Sequence, residues 1–157
     1  MANYKISVDG SFVDKHHIYG AVVVQNQETK QINSYLVQCE TEQFADSRNV
    51  YGEVAAASLA VLIIESLLEE DKDTKVTLIF DYMGIKNWAT GEWSANKMIS
   101  KCYTALWQAK KHIVPCVSFV HQKGHSGISS ENAYLNDLAD RVAGLKVKPT
   151  FVTKAIL

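Results

Sequence analysis

Two aspartates follow apolar segments of the sequence, each where a strand is expected to end. Asp9 comes after residues 4–8, in which apolar and polar side chains alternate as in a half-buried strand, and the following glycine and serine are expected to end that strand. Asp81 comes directly after the apolar segment Lys75–Phe80. Since ligands of α/β sheets bind outside strand ends, two such acids on neighbouring strands would face one site. An Asp before a Gly is also a common turn former, which is the alternative interpretation of Asp9.

A third carboxylate, Glu53, lies in the first turn of a long helix predicted over residues 50–68. At about 100° per residue it falls roughly 140° from Ser58 and Glu65, on the apolar side of the helix. An acid in this position is either an N-terminal charge favoured by the helix dipole or a functional group directed inward.

The last predicted helix, over residues 132–145, carries two more acids, Asp137 and Asp140. Its apolar stripe is predicted to consist of Tyr134, Leu135, Leu138, Val142 and Leu145. Helical periodicity places Asp140 opposite this stripe, a position that suits solvent as well as a metal cleft. A compact α/β fold could therefore gather three further carboxylates around Asp9.

The elements that must position these acids follow the predicted order β-β-β-α-β-α-α-β-α. Three consecutive strands form an antiparallel meander and two later strands run parallel, which gives an α/β fold with a five-stranded mixed sheet flanked by helices. The predicted strands are residues 4–9, 19–25, 31–38, 75–80 and 115–121, and the predicted helices are residues 50–68, 83–90, 94–112 and 132–145. Residues 1–147 are expected to form one domain and residues 148–157 a C-terminal tail that begins near Pro149.

Composition limits the classes of protein to consider. No uninterrupted apolar run approaches the roughly 20 residues that span a bilayer, and the N-terminus lacks the basic and apolar regions of a secretory signal. The three cysteines, Cys39, Cys102 and Cys116, match no metal-ligand spacing and are expected to be reduced thiols in a cytoplasmic protein. The net charge of −1 argues weakly against a polyanionic ligand, but it would be +3 without four clustered carboxylates, so charge is not decisive.

Taken together, these segments resemble type 1 ribonuclease H in its catalytic-domain form. The resemblance rests on Asp9-Gly10-Ser11, on Glu53 and Asp81, on Lys123-Gly124-His125-Ser126-Gly127, and on Asn136-Asp137-Leu138-Ala139-Asp140-Arg141-Val142-Ala143 in the last helix. It covers about residues 4–145 and implies the ribonuclease H-like fold for the predicted domain. It also implies an endonuclease that cuts the RNA strand of an RNA–DNA hybrid and leaves 5′-phosphate and 3′-hydroxyl ends. No membrane and no obligate protein partner is expected, and the chain is expected to act as a monomer.

The resemblance further implies two Mg²⁺ ions held by Asp9, Glu53, Asp81 and Asp140. Mg²⁺ prefers hard oxygen ligands, and two ions about 4 Å apart could activate the attacking water and stabilise the leaving 3′-oxygen. Mn²⁺ is expected to substitute for Mg²⁺. The family pattern selects Asp140, although the spacing from His125 would be more usual with Asp137, or with Asn136, which would leave the fourth position neutral.

Several residues are expected to act on substrate because of the same resemblance. The residue that corresponds to His125 assists proton transfer or product release in the family. The backbone of Gly10, with Ser11 and Asn49, would read the 2′-hydroxyls of RNA, and Arg48 with Asn49 would hold a DNA phosphate. Each of these four could equally be a loop or capping residue. The other histidines, His16, His17, His112 and His121, are expected to be surface residues.

One departure from the family concerns charge. Many bacterial relatives carry a lysine-rich protrusion after the fourth strand. Here the charged residues of segment 90–98 are one lysine, Lys97, and one glutamate. Hybrid affinity is therefore expected to be modest, or supplied by Lys110, Lys111 and the tail lysines. A DNA-directed nuclease of the same superfamily would show the same acids without a reason to read 2′-hydroxyls. An inactive hybrid-binding domain would have lost one or more of them.

Overall fold

Three strands from the first forty residues form an antiparallel meander. The computed structural model describes residues 2–40, 44, 47–123 and 130–157, and in it β1 comprises Asn3–Asp14, β2 His17–Asn26 and β3 Ile32–Cys39. Antiparallel pairing joins β1 to β2 and β2 to β3 along nearly their whole lengths. The predicted meander is therefore confirmed.

Two parallel strands extend the sheet on the other side of β1. Strand β4, Lys75–Phe80, pairs in parallel with β1, and β5, Val117–His121, pairs in parallel with β4. The order of these five strands across the sheet is β5-β4-β1-β2-β3. Helices separate these strands along the chain, as crossover connections between parallel strands require.

A sixth strand was not predicted. Residues 148–157, expected to be a tail, contain β6, Phe151–Lys154, which pairs in parallel with β3. The backbone N–H groups of Ser34 and Thr150 donate to each other's hydroxyl oxygens at 2.9 and 3.0 Å, and the ring of Phe151 stacks on Tyr35 with centroids 5.0 Å apart. Without β6 the backbone groups of β3 would form an open sheet edge, which explains why this segment joins the sheet.

The long helix α1, Asn49–Glu70, crosses one face of the sheet and is flanked by α2, Gly84–Thr90, and α3, Met98–Ala109. A 3₁₀ helix, Lys111–Cys116, follows α3 and includes Pro115, so β5 begins two residues later than expected. The core on this face contains Ile6 and Val8 of β1, Val22 of β2, Leu78 of β4, Ala56, Ala60 and Ile64 of α1, and Tyr103 and Trp107 of α3. This layer fixes α1 relative to β1.

By length and composition alone, Val50–Glu70 could cross a membrane, with a mean hydropathy of 1.7. Most of the segment is buried, however, because α1 lies between the sheet on one side and α2, α3 and the 3₁₀ helix on the other. A helix covered on both sides is apolar nearly all round, which accounts for its composition.

The last helix, α4, Glu131–Ala143, packs on the opposite face of the sheet. The second core joins Ala21, Val23, Leu36 and Ile79 of the sheet to Leu135, Ala139, Val142 and Ala143 of α4. The predicted apolar stripe is partly wrong, because Tyr134 and Leu145 are 46% and 55% exposed. The small side chains of Ala139 and Ala143 let α4 lie close to the sheet. The buried face of the helix therefore includes these alanines and excludes Tyr134.

Candidate active site

Asp9 lies within β1 and not at its end, because the strand continues along β2 as far as Asp14. The predicted strand end directly after Asp9 is therefore wrong. The strand that stops is β4, whose pairing with β1 is last seen at Ser7↔Ile79. Continuing that register by two residues places Asp81, just beyond the end of β4, level with Asp9. The two carboxylates meet where a short strand ends beside a longer one.

Two glycines bring the first turn of α1 against the sheet. Gly20 pairs with Gly10 across β1 and β2, and a Cβ on Gly20 would overlap the carbonyl oxygen of Gly52. A Cβ on Gly52 would overlap a carbonyl oxygen of β2 and lie 3.1 Å from the Cα of Gly10. Only glycine permits this close approach of backbone to backbone. It places the next residue of α1, Glu53, beside Asp9.

The three acids form a tight cluster. Asp9, Glu53 and Asp81 each place one carboxylate oxygen within 4.8 Å of the others, and within the described ranges this is the one such group of three His, Cys, Asp or Glu side chains. Asp9 and Glu53 are each 5% exposed, and Asp81 is half-buried. The backbone N–H of Gly10 donates to Asp9 Oδ1 at 2.9 Å. Glu53 Oε2 is buried and finds no donor among the residues that the structure describes, which is costly for a carboxylate without a compensating charge.

Burial makes the three groups hard to ionise together. It raises the pKa of Asp9 from 3.8 to about 7, and the charges of Asp81 and Asp140 add to the rise. Burial and the charge of Asp9 raise the pKa of Glu53 well above its ordinary value. The pKa of Asp81 is also raised, chiefly by burial and further by the charge of Asp140. A bound cation would oppose these shifts, because its positive charge stabilises the ionised form of each carboxylate.

The donor set fits a hard divalent cation. The cluster offers carboxylate oxygens only, and one of them, Glu53 Oε2, is buried without a partner among the described residues. Oxygen-only sites suit Mg²⁺ and Mn²⁺, whereas zinc sites favour histidine and cysteine ligands. Asp9, Glu53 and Asp81 are therefore the residues that could hold such an ion.

A pocket of about 340 Å³ opens over the cluster, and its lining residues are Asp9, Gly10, Val50, Glu53, Asp81, Tyr82 and Asp140. Asp140 reaches this pocket from α4 and is half-buried. Asp137 is not among the lining residues, and its Oδ2 instead meets Nη1 of Arg141 at 3.5 Å. Asn136, one turn before Asp140, is buried but also does not line the pocket. The structure thus brings Asp140, not Asp137, to the other three acids, while its role as a ligand stays a prediction.

Of the described residues predicted to contact substrate, Gly10 is the one seen to line this pocket. Ser11 follows on β1, half-buried. Arg48 precedes α1 with φ of 51°, and its exposed guanidinium lies 6.0 Å from the ring centroid of Phe12. Asn49 is the first residue of α1, and its side chain is outside the described part of the chain. His125 falls in residues 124–129, which are also outside it.

Sequence reasoning missed three residues at this site. Val50 and Tyr82 line the pocket, and each is adjacent in sequence to a predicted functional position, which is the only signal that could have found them. His121, expected to be a plain surface residue, contacts the backbone of Asp81 through its ring. The pairing of β5 with β4 brings His121 level with Phe80, so a predicted parallel register could have indicated this neighbourhood.

Comparison with known proteins gives a clear result for the fold. No protein-family model matches the sequence, and no curated protein sequence matches it. Solved structures do match. An N-terminal RNase H domain from Mycobacterium tuberculosis has a TM-score of 0.62 at 11% identity, covering 93% of this chain and 96% of that one. RNase H1 from the halophilic archaeon Halobacterium salinarum has a TM-score of 0.60 at 14% identity, covering 92% and 99%.

A third match is LC11-RNase H1, isolated from compost by a metagenomic approach. Its TM-score is 0.63 at 19% identity, and the alignment covers 94% of this chain and 100% of that one. The same protein in complex with an RNA/DNA hybrid matches with a TM-score of 0.57 at 18% identity, covering 88% and 98%. At these identities the similarity concerns the arrangement of the backbone. The chain has the ribonuclease H fold over nearly its full length, as the resemblance of its motifs implied.

Proposed function

We propose that the chain is a metal-dependent ribonuclease H that cuts the RNA strand of RNA–DNA hybrids. The observation that carries the proposal is the buried cluster of Asp9, Glu53 and Asp81, with Asp140 in the same pocket, on a fold shared with RNase H1 proteins. The match to LC11-RNase H1 in complex with an RNA/DNA hybrid supports this class of substrate.

The proposed site binds two Mg²⁺ or Mn²⁺ ions through these four carboxylates. Ions held there would supply Lewis acidity for the attack of water on phosphorus and for the departure of the 3′-oxygen. Cleavage of the bond between phosphorus and the 3′-oxygen leaves 5′-phosphate and 3′-hydroxyl ends. Glu53 is buried, and the contact of Gly52 with β2 sets its position in the site. The N–H of Gly10 orients the Asp9 carboxylate. Asp140 is half-buried and lines the pocket from α4.

The proposed substrate contacts follow from position. Gly10 and Ser11 continue β1 past Asp9, so they can meet the ribose 2′-hydroxyls of an RNA strand whose phosphate lies at the cluster. Arg48, exposed at the start of α1, is proposed to contact a phosphate of the DNA strand, together with Asn49. His125 is proposed to assist proton transfer or product release. The chain is proposed to act as a monomer, in the cytoplasm.

The experiment that tests this function compares labelled RNA–DNA, RNA–RNA and DNA–DNA duplexes, each with Mg²⁺ and with EDTA. We expect cleavage of the hybrid alone, and only with Mg²⁺. Robust cleavage of the DNA duplex would favour a DNA-directed nuclease of the same superfamily. Hybrid binding without cleavage at any metal concentration would favour an inactive binding domain.

A matched pair of variants on α1 assigns any activity to the cluster. Glu53→Gln keeps the shape of the side chain but removes a buried carboxyl group from the site. Glu69→Gln makes the same chemical change on an exposed part of the same helix. We expect the first variant to lose hybrid cleavage and the second to retain it, which also excludes a contaminating nuclease as the source.

A further inference from the structure

His121, the last residue of β5, is bonded to the backbone of Asp81. Its Nε2 lies 2.9 Å from the Asp81 carbonyl oxygen. A carbonyl oxygen can only accept a hydrogen bond, so Nε2 carries the hydrogen and donates it. The side chain is exposed, as expected of a surface histidine, but its ring is engaged by the residue that follows β4.

Asp81 lies beyond the last residue of β4 that pairs with β1, so the hydrogen bond from His121 holds its backbone on the β5 side. Pairing between β1 and β4 is last seen at Ile79, whereas pairing between β4 and β5 continues to Phe80↔His121. The backbone N–H of Gln122 donates to the Phe80 carbonyl at 2.8 Å. The carbonyls of Phe80 and Asp81 are therefore both bonded from the end of β5, one through the backbone and one through the imidazole.

The imidazole itself is held in place by packing. Its ring centroid lies 5.8 Å from that of Phe80, which is 1% exposed and belongs to the main core. The phenyl ring fixes one side of the imidazole, and the bond to Asp81 fixes its rotation. A donor held in this way can hold the Asp81 peptide in one orientation.

We propose that His121 is a positioning residue, whose ring N–H fixes the Asp81 peptide and so directs the Asp81 carboxylate into the cluster with Asp9 and Glu53. Its importance for catalysis rests on the proposed function, but its effect on cation binding does not. Groups that orient metal-binding carboxylates by hydrogen bonds typically change metal affinity by about 10- to 100-fold when removed. Because His121 acts on the backbone of Asp81, we expect a loss of about tenfold.

The test measures Mn²⁺ binding by isothermal titration calorimetry in the absence of any nucleic acid. The variants are His121→Ala, which removes the donor, and His121→Gln, which retains an N–H donor on a side chain of similar reach. His112→Ala is the matched control, since His112 is an exposed histidine whose Nε2 meets Glu65 Oε2 at 3.1 Å on another part of the surface. Thermal unfolding of each variant without metal establishes that it is folded.

We expect His121→Ala to bind Mn²⁺ about tenfold more weakly than wild type, His121→Gln to recover most of the affinity, and His112→Ala to be unchanged. Unchanged Mn²⁺ affinity in folded His121→Ala would overturn the proposal. Equal losses in His121→Ala and His121→Gln would also overturn it, because packing of the ring on Phe80 would then matter more than the hydrogen bond.

Hybrid cleavage separates this inference from the proposed function. If wild type binds Mn²⁺ and His121→Ala weakens that binding, but no hybrid is cut, the proposed function fails and the role of His121 stands. If wild type cuts the hybrid and His121→Ala leaves both the Mn²⁺ affinity and the half-saturating Mg²⁺ concentration unchanged, the role of His121 fails alone.

Discussion

Gly20 and Gly52 pack backbone to backbone, so that the first turn of α1 touches β2 with no side chain between them. Gly20 also pairs with Gly10 of β1, the residue after Asp9, and Gly52 directly precedes Glu53. The position of Glu53 beside Asp9 therefore depends on two residues that carry no chemistry of their own.

Gly52→Ala is expected to reduce both stability and activity, because its Cβ would overlap a carbonyl oxygen of β2 that cannot move without disturbing the sheet. Overpacking of this kind costs about 1–3 kcal/mol, and the displaced helix would also move Glu53. Urea unfolding and hybrid cleavage measure the two effects. Glu69→Ala, an exposed change on the same helix, is the control and should leave both unchanged. Wild-type activity in Gly52→Ala would show that the close approach does not position Glu53.

Asp140→Asn is expected to lower turnover severely while hybrid binding is kept or improved, because a negative charge near phosphate is removed from the pocket. Asp137→Asn should be mild, since Asp137 lies outside that pocket and loses only a surface pair with Arg141, worth about 0.3–0.5 kcal/mol. Both variants should be assayed at several Mg²⁺ concentrations, since excess metal can mask a lost ligand. Severe loss in Asp137→Asn with near wild-type rates in Asp140→Asn would reverse the assignment.

The raised pKa values of the cluster predict that Glu53→Gln stabilises the metal-free protein at pH 8 but not near pH 4. Burial raises the pKa of Asp9 from 3.8 to about 7 and raises the pKa of Glu53 well above its ordinary value. At a pH between the ordinary and the raised pKa of each group, the folded protein therefore binds more protons than the unfolded chain. The stability that this provides is present in acid and is lost as pH rises through the raised pKa values, about 7 for Asp9. Because glutamine does not titrate, Glu53→Gln removes the part of this loss that comes from Glu53 and should raise the melting temperature at pH 8 by several degrees.

Thermal unfolding in EDTA across pH 4 to 8 measures this difference. At pH 8, Mg²⁺ should reduce or reverse the difference in melting temperature between Glu53→Gln and wild type, because a cation that binds the folded wild type stabilises that protein by mass action. An equal shift at pH 4 and pH 8 would mean that the substitution acts through packing and not through charge.

Hybrid binding is expected to depend weakly on salt. Residues 90–98 contain one lysine, Lys97, so few phosphates are neutralised by this segment. The slope of log affinity against log salt is about −0.9 per phosphate contacted for a B-form duplex. Binding should be measured in Ca²⁺ or without metal so that the substrate survives. A slope that corresponds to about eight contacts or more would reveal an extended basic surface that engages the hybrid elsewhere on the protein.

The meander and the parallel strands were predictable from the sequence because they depend on local patterns, whereas the choice of Asp140 as the fourth acid came from the resemblance to ribonuclease H. Alternation marks β1, and an apolar run followed by an acid marks the end of β4. The reason for the meeting of Asp9 and Asp81 was not predictable, since it depends on β1 outlasting β4 in the sheet. The same applies to β6, whose four residues form a strand only because β3 leaves an open edge.

Side-chain direction was harder to predict on the helices. On α4 the stripe chosen by hydrophobicity included Tyr134 and omitted Ala139, whereas close packing buries the alanine. For Glu53, periodicity left open whether the charge served the helix dipole or a site, and burial beside Asp9 and Asp81 favours the site. His121 was missed because a backbone carbonyl, which has no sequence signature, is its partner.

The most direct measurement of the central claim uses one RNA–DNA hybrid with a different label on each strand, incubated with wild-type protein or Glu53→Gln in increasing Mg²⁺. The carboxylate cluster is predicted to give RNA fragments with 5′-phosphate and 3′-hydroxyl ends, an intact DNA strand, and no products in EDTA or with Glu53→Gln. Cleavage that persists in Glu53→Gln, or that occurs without divalent metal, would contradict the assignment of this cluster as a metal-dependent ribonuclease H site.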